Sequence, residues 1–333
     1  MKKLSRQAFV KRVCDTIKHC DMLHAGDRVL VAVSGGPDSV CLLSVLLCIR
    51  NKFGITVSVA NMDHCIRGEE SARDSRFVKE LCEKMGVDCV YEKIPIKVPE
   101  GDDRSVEEVA RAKRYDLFFR AAGKTSSNVI ATGHTLDDQA ETVLMRFLTG
   151  ASLKSMAGIP PVRDENGIKI IRPLINADKK EVIGYLETVG LDYCHDSTND
   201  EKDYLRNKVR LDILPFLEKY NPRVKRTMVN FCEAVREDMA LVEIVKKKSL
   251  KNMPSDKDNS ILLKDILLQP VAVRKEMFKE LFMRAGGDIK KLTYRHWKDM
   301  EHFIRTAQKG NSLNLPGNVS VSRGRDSIKF QKQ

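Results

Sequence analysis

No stretch of this 333-residue sequence approaches the roughly 18–20 consecutive apolar residues that a membrane-spanning helix requires. The opening segment, MKKLSRQAFVKRVCDTIKHC, is basic at its start but lacks a continuous apolar core and a small-residue cleavage site, so it does not read as an export signal. Phe9, Val13 and Ile17, spaced four apart, predict an amphipathic helix instead. A cytoplasmic protein without a membrane partner is expected. C-x-x-C pairs are also missing: nine cysteines stand at 14, 20, 41, 48, 65, 82, 89, 194 and 232. An odd, scattered set of this kind predicts free thiols in a reducing compartment, most of them buried as small hydrophobes. It argues against a structural zinc site or a cysteine-ligated iron–sulfur cluster. Two common nucleotide-binding patterns, G-x-x-x-x-G-K-S/T and G-x-G-x-x-G, are absent.

What is present describes a globular protein: 42% hydrophobic and 31% charged residues, in a chain long enough for two domains with cores of their own. The net charge of +12 is unevenly placed. Residues 1–200 carry 29 Lys+Arg and 29 Asp+Glu, whereas residues 201–333 carry 29 and 17. A neutral part joined to one that attracts polyanions suits chemistry in the first and a grip on nucleic acid in the second, although a solvated lysine-rich helical surface has the same composition.

The first half alternates strand-like and helix-like segments. Arg28–Val33, Thr56–Asp63, Asp88–Ile96 and Asn128–Gly133 are Val/Ile-rich and short, which predicts strands. Ser39–Arg50, Ser71–Met85 and Ser105–Ala122 read as helices between them. This βαβα order predicts an α/β fold, a parallel sheet with helices on both faces, whose ligands sit at the carboxyl ends of the strands. Lys169–Ile175 contains Pro173 and is expected as an edge segment or an extended approach to the helix Asp178–Val189. The polar stretch Cys194–Asp203 reads as a loop. A catalytic domain is expected over 1–218 and a basic, mainly helical domain over 219–333, with helices near 223–252, 262–285 and 293–308. The second domain closes on a hairpin around Pro316-Gly317-Asn318.

Two clusters carry chemistry. Ser34-Gly35-Gly36-Pro37-Asp38-Ser39 follows the apolar run VLVAV and opens a helix. Glycines permit a tight turn whose backbone N–H groups share one concavity, and the helix start adds attraction for phosphate. Ser34 and Ser39 can donate hydroxyl hydrogen bonds, and Asp38 is placed to hold Mg²⁺. The second cluster, Gly133-His134-Thr135-Leu136-Asp137-Asp138-Gln139-Ala140-Glu141-Thr142, follows VIATG and also opens a helix. His134, Asp138 and Glu141 share one face, with Asp137 beside it at the first turn. Three carboxylates near a nucleotide can hold Mg²⁺, bind an ammonium group or accept a proton. Asp and Glu at a helix start also serve as ordinary caps, and His134 taken alone suits a packing role.

SGGPDS after a buried strand resembles the pyrophosphate-binding loop of the N-type ATP pyrophosphatases (the PP-loop superfamily), which cleave ATP to AMP and pyrophosphate while adenylating a carbonyl oxygen. GHTLDDQAET and its continuation VLMRFLTGASLKSMAGIP resemble the tRNA(Ile)-lysidine synthetases within that superfamily. So do Met62-Asp63-His64 with Ile66-Arg67, Glu107-Glu108-x-Ala110-Arg111-x-x-Arg114-Tyr115 and Ile171-Arg172-Pro173-Leu174-Ile175. Asp196-Ser197-Thr198-Asn199, and Tyr204-x-Arg206-Asn207-x-x-Arg210, complete six ordered blocks over about residues 28–222. The hairpin LNLPGNVSVSRGRDSIKF resembles the end of the family's first C-terminal domain, beyond which longer members carry another.

The resemblance implies adenylation of C2 of the wobble cytidine in a tRNA(Ile) with a CAU anticodon, followed by attack of the side-chain amine of L-lysine to give lysidine. ATP and Mg²⁺ are implied, with Ser34, Gly35, Gly36, Pro37, Asp38 and Ser39 forming the ATP site, Asp63 and Gly133 beside the nucleotide and Asp38 a metal ligand. Arg111 and Arg114 are implied for the α-phosphate or departing pyrophosphate, where always-charged bidentate donors suit the task. Asp137, Asp138 and Glu141, with His134, are implied for lysine binding and proton removal, because a free lysine amine is protonated at neutral pH. Arg206, Lys208 and Arg210 would touch RNA near the reacting nucleotide, and Arg223, Lys225, Arg226 and Lys246–Lys248 would line the path of its body. Trp297 and Tyr294 are expected as packing residues. A homodimer is left open.

Three rivals share parts of this pattern. A related tRNA thiolase would use the same adenylation with a sulfur donor, but such enzymes rely on cysteine pairs or a cluster. A glutamine-using amide synthase would need an ammonia source, and the basic second part would be unexplained. An idle RNA-binding scaffold would have little use for Asp38, Asp137, Asp138 and Glu141 together.

Overall fold

The computed structural model describes residues 5–63, 69–96, 105–150, 152–194, 205–251 and 259–333. The expected features at His64–Arg67, Asp196–Asn199 and Tyr204 lie outside these. Two compact units are present, residues 1–235 and 236–333.

The first unit begins with helix α1 (Arg6–His19), strand β1 (Arg28–Ala32), α2 (Pro37–Phe53), β2 (Thr56–Asp63), α3 (Glu69–Met85) and β3 (Cys89–Lys93). It continues through α4 (Val106–Lys124), β4 (Val129–Ala131), α5 (Leu136–Leu148), α6 (Leu153–Met156), β5 (Val162–Glu165), β6 (Ile168–Ile171) and α7 (Lys179–Val189). Then come α8 (Leu205–Lys208), a π-helical turn at Val209–Ile213, α9 (Leu214–Tyr220) and α10 (Val224–Lys251), within which the unit boundary falls.

The six strands lie in the order β3-β2-β1-β4-β6-β5, parallel except for the β5–β6 pair. Reversal of strand order between β1 and β4 makes the carboxyl ends of these two strands a topological switch point, where ligands bind in open α/β sheets. Helices cover both faces as the alternation predicts. On one face Val29, Val31, Val57 and Val59 meet α1, α2, α3 and α7. On the other, Leu30, Ala60, Met62 and Ile130 meet Leu117, Phe118 and Ala121 of α4. Helix α2 is apolar on most sides because it lies between the sheet and α1 and α7, burying Val40 to Leu43, Val45, Leu46 and Ile49.

The Lys169–Ile175 expectation is corrected. Its strand, β6, is interior, flanked by β4 and β5, and Pro173 falls just beyond it. The edge is β5, turned back by Asn166-Gly167 with φ of 55° and 76° at its two central residues, which is the Asn-Gly turn chemistry of a tight hairpin.

In the second unit the expected helix 262–285 is three elements: β7 (Ser260–Leu262), α11 (Leu263–Leu267) and α12 (Val271–Arg284). Pro270 separates the helices because it has no N–H to continue the first and is well placed to start the second. Helix α13 (Tyr294–Thr306) precedes β8 (Ser312–Leu315), β9 (Val319–Arg323) and β10 (Ser327–Lys332). The expected hairpin is therefore part of a four-stranded antiparallel sheet, β7-β10-β9-β8. Trp297 is buried in this unit's core against Phe278, whereas Tyr294 is 67% exposed and is not a core residue.

Among the described cysteines, Cys14, Cys41, Cys82 and Cys232 are buried, Cys20, Cys89 and Cys194 half-buried and Cys48 exposed, all as free thiols. No helix among the described residues is long and apolar enough to cross a membrane.

Candidate active site

Strand β1 delivers Ser34-Gly35-Gly36 to the start of α2. Gly35 has φ of +94°, and a Cβ there would stand 3.3 Å from Cys194 Sγ and 3.4 Å from Val78 Cγ2. The left-handed conformation thus favours glycine, and a Cβ would fit only tightly. The Ser39 hydroxyl donates to the Gly36 carbonyl at 2.8 Å and accepts the Ser34 N–H at 3.2 Å, tying the turn to the first turn of the helix. No side chain caps α2 at Gly36, and Pro37 occupies its first turn. The first N–H groups of this 17-residue helix therefore have no side-chain cap at Gly36, and Asp38 stands in its first turn.

The second cluster reaches the same place. A Cβ on Gly133 would meet the Asp38 carbonyl carbon at 3.1 Å and the Ser39 nitrogen at 3.2 Å, so only glycine lets the β4–α5 turn lie against the start of α2. Asp38 Oδ2 is 2.5 Å from Lys179 Nζ, and Asp38 Oδ1 is buried without a hydrogen-bond partner. Burial pushes the Asp38 carboxyl above its usual range; Lys179 pulls it down, while Asp138 and Asp137 push it up. Asp137 accepts the Lys179 backbone N–H at 2.8 Å on Oδ2 and the Lys225 ammonium at 2.8 Å on Oδ1.

Asp138 has two partners. One oxygen closes a capping box with the Thr135 N–H and hydroxyl, and the other accepts Arg206 Nη2 at 2.6 Å. Burial alone would raise its pKa, but Arg206, His134 and the Thr135 bonds outweigh burial and hold it below the usual carboxylate range. Glu141 is fully buried between Arg206 Nε at 2.8 Å and Arg210 Nε at 2.6 Å. The π-helical turn at Val209–Ile213 follows directly, and Arg206 and Arg210 converge on this one carboxylate. His134 Nδ1 lies 2.9 Å from Thr132 Oγ1. Burial, reinforced by Arg172, Arg111 and Arg206 against the pull of Asp138, lowers its pKa to about 4, so the imidazole is neutral at pH 7.

Asp38, Asp137, Asp138, Glu141, His134, Arg206 and Arg210 therefore form one connected cluster at the switch point. Every carboxylate of α5 in it is already matched by cations or N–H donors. Arg111 is exposed and stacks on Tyr115, its Cζ 5.1 Å from the ring centroid. Arg114 is also exposed, on the same helix. Lys208 is exposed, with no ion pair among the described residues. Asp63, at the end of β2, is buried and accepts the Tyr91 hydroxyl at 3.4 Å.

One site residue escapes sequence reasoning. Lys179 was not singled out, although a lysine in a helix's first turn opposes the helix dipole and so marks a position with another task. Lys225, expected along the RNA path, bridges Asp137 and Glu218. Arg226 likewise turns inward to the Asn176 carbonyl at 3.0 Å, and Arg223 is exposed. In the second unit Lys246 is held by Glu276 at 3.1 Å, whereas Lys247 and Lys248 are exposed.

Comparison with known proteins agrees with this geometry. Residues 6–217 match the model of the PP-loop domain. The chain is 34% identical over 322 residues to a tRNA(Ile)-lysidine synthase of Clostridioides difficile, covering 95% of this chain and 69% of that protein. It is 31% identical to one from Dehalococcoides mccartyi, covering 92% and 67%. Thus it spans about two thirds of the length of these relatives. Among solved structures, the U34-tRNA thiolase NcsA from Methanococcus maripaludis superposes with a TM-score of 0.56 at 20% identity, covering 70% of this chain and 80% of that one, a likeness of fold. With its Ser34–Ser39 turn and acid-rich helix start joined at the switch point, the chain belongs to the PP-loop tRNA(Ile)-lysidine synthase family.

Proposed function

We propose that this chain is a carbon–nitrogen ligase that converts the wobble cytidine of a CAU-anticodon tRNA(Ile) to lysidine, in the cytoplasm. The observation that carries the reading is the close contact of Gly133 with Asp38 and Ser39, which joins a phosphate-binding turn to an acid-rich helix start. The cytidine C2 oxygen attacks the α-phosphorus of ATP and pyrophosphate leaves. The lysine side-chain amine then attacks C2, AMP departs with the former C2 oxygen, and the amine gives up its proton.

The turn Ser34–Ser39 holds the pyrophosphate portion through backbone N–H groups and the start of α2. Asp38 fits Mg²⁺: its buried Oδ1 is an unpartnered hard oxygen, and Mg²⁺ is held by one or two carboxylates together with substrate phosphates. Bound there, the ion neutralises charge on the departing pyrophosphate. Arg111 and Arg114, exposed on α4, supply guanidinium groups to the phosphates. His134, neutral at pH 7, and the carboxylates of α5 supply proton acceptors for the amine. Arg206, Lys208 and Arg210 approach the RNA. The residues after about 218 form a basic tRNA-binding part in which Lys247 and Lys248 contact backbone phosphates.

Pyrophosphate release tests the first half-reaction. Incubation with ATP, Mg²⁺ and tRNA(Ile) is expected to release pyrophosphate while AMP stays on the tRNA, and addition of L-lysine then to release the AMP; ADP and phosphate would contradict the adenylation.

A further inference from the structure

Several cations of the second unit are matched by carboxylates. Arg274 and Arg305 pair with Glu301 at 2.6 and 2.9 Å, Lys279 with Glu276 at 2.5 Å and Arg284 with Glu280 at 3.0 Å. Around the start of α13 the pattern changes. Lys290 and Lys291 close the 3₁₀ turn Ile289–Lys291, and Arg295 and Lys298 follow on α13. These four are exposed, and neither they nor the half-buried Lys275 of α12 has an ion pair among the described residues. Asp288 caps the 3₁₀ turn, accepting the Lys290 N–H at 2.9 Å, and Asp299 beside Lys298 is exposed. Helix α13 has no acid in its first turn, where one would complement the helix dipole. Positive charge is thus left in surplus here, which opposes compactness and attracts polyanions.

Tyr294 stands among these cations and is the informative residue. The inward stripe of α13 is Trp297, Met300, Phe303 and Ile304, so the helix packs without the Tyr294 ring, which is 67% exposed. Lys275 Nζ lies 5.8 Å and Lys298 Nζ 5.6 Å from the ring centroid. Both are near the outer limit of about 6 Å for attraction between a cation and a ring face, so the lysines flank the ring without covering it. An open aromatic face with cations beside it is the arrangement that holds single-stranded nucleic acid: a base stacks on the ring and the cations take the neighbouring phosphates. Duplex RNA offers no open base face, and an acidic peptide would use the cations but leave the ring idle. The surface therefore favours an unpaired nucleotide.

We propose that the Tyr294 face of the second unit is a docking surface for an unpaired nucleotide of the substrate RNA other than the one that reacts, an assignment that rests on the functional reading above. The Tyr294 ring carries the base, and Lys275, Lys290, Lys291, Arg295 and Lys298 hold the phosphates on either side of it. Every base has a face that can stack, so this contact grips and positions the RNA without reading its sequence. Nothing covalent occurs there.

The test compares the full chain with Tyr294→Ala, Tyr294→Phe and the triple variant Lys290→Gln/Lys291→Gln/Lys298→Gln, all at exposed side chains. Filter binding is measured over a range of salt with tRNA(Ile) and with a fully paired RNA duplex, and lysidine formation is measured against tRNA(Ile). Tyr294→Ala is expected to weaken tRNA binding about tenfold and to raise the KM for tRNA alike, with kcat within twofold of wild type. Its duplex binding and its salt slope should be those of wild type, and Tyr294→Phe, which keeps the ring, should bind tRNA within twofold of wild type. The triple variant should shallow the slope of log affinity against log salt by about 2, the share of three phosphate contacts. A tRNA affinity of Tyr294→Ala within twofold of wild type, or an equal loss for the duplex or for Tyr294→Phe, overturns the assignment alone. A wild-type chain that neither binds tRNA(Ile) nor forms lysidine overturns the functional reading and the assignment with it.

Discussion

Lys179 ties Asp38 to Asp137: its Nζ is 2.5 Å from Asp38 Oδ2, and its backbone N–H is 2.8 Å from Asp137 Oδ2. One residue at the start of α7 thereby links the Ser34–Ser39 turn to the acidic helix start, across 141 positions of sequence on one side. The ammonium also offsets the cost of keeping Asp38 charged in a partly buried place beside two other carboxylates.

Replacing Lys179 by Met removes that offset. Lys179→Met is expected to lower tRNA-dependent pyrophosphate release by about 100-fold, the scale on which a single preorganised charged donor acts. Asp38→Ala should abolish release altogether. Filter binding should find tRNA affinity within about twofold of wild type for both. An equal loss of binding and release would contradict the placement of Asp38 at ATP.

Glu141 and its two arginines should respond asymmetrically. Glu141→Ala removes the buried charge itself and leaves two half-exposed guanidinium groups, an expected loss of about 1–3 kcal/mol. Arg206→Ala/Arg210→Ala leaves the carboxylate buried without either cation, which costs more, about 3–5 kcal/mol. Urea unfolding of the two variants checks the order.

The depressed pKa of His134 makes stability depend on pH in a defined window. Its imidazole takes a proton near pH 6.5 when unfolded but only near 4 when folded. Between these values the unfolded chain binds more protons, so stability falls as pH falls, by at most about 1.4 kcal/mol per pH unit from this group. It is complete above about pH 6.5. His134→Asn should flatten this part of the profile relative to wild type, as read from urea midpoints between pH 4 and 7; an unchanged slope would show that the imidazole is not held neutral.

Charge on α10 is divided between packing and display. Lys246 is occupied by Glu276 and Glu243, but Lys247 and Lys248 are exposed. Lys247→Glu/Lys248→Glu is expected to raise the KM for tRNA and to shallow its salt dependence, with the KM for L-lysine unchanged. A change in lysine KM would contradict the division of labour between the two parts of the chain.

The parallel sheet and both chemical clusters were legible because they are local. VLVAV and TVSVANMD declare buried strands by composition, and Ser34–Ser39 and Gly133–Glu141 follow their strands directly. The Asn166-Gly167 hairpin was legible in principle, but Pro173 drew attention to an edge reading that the turn chemistry should have overruled. Pro270 likewise divides a run whose apolar spacing resembles one helix. What local pattern cannot supply is partnership. Lys225 pairs with Asp137 across 88 positions, and Arg206 and Arg210 are spent on Glu141 in addition to any contact with RNA. Such pairings are set by tertiary packing, which no spacing rule encodes.

The most direct test of the central claim is incorporation of labelled L-lysine into tRNA. With ATP and Mg²⁺ present, tRNA(Ile) bearing a CAU anticodon should acquire label in proportion to the AMP released, while tRNA(Met) with the same anticodon should acquire none. Release of AMP and pyrophosphate without label in tRNA(Ile) would contradict lysine as the nucleophile and direct attention to a sulfur or other amine donor.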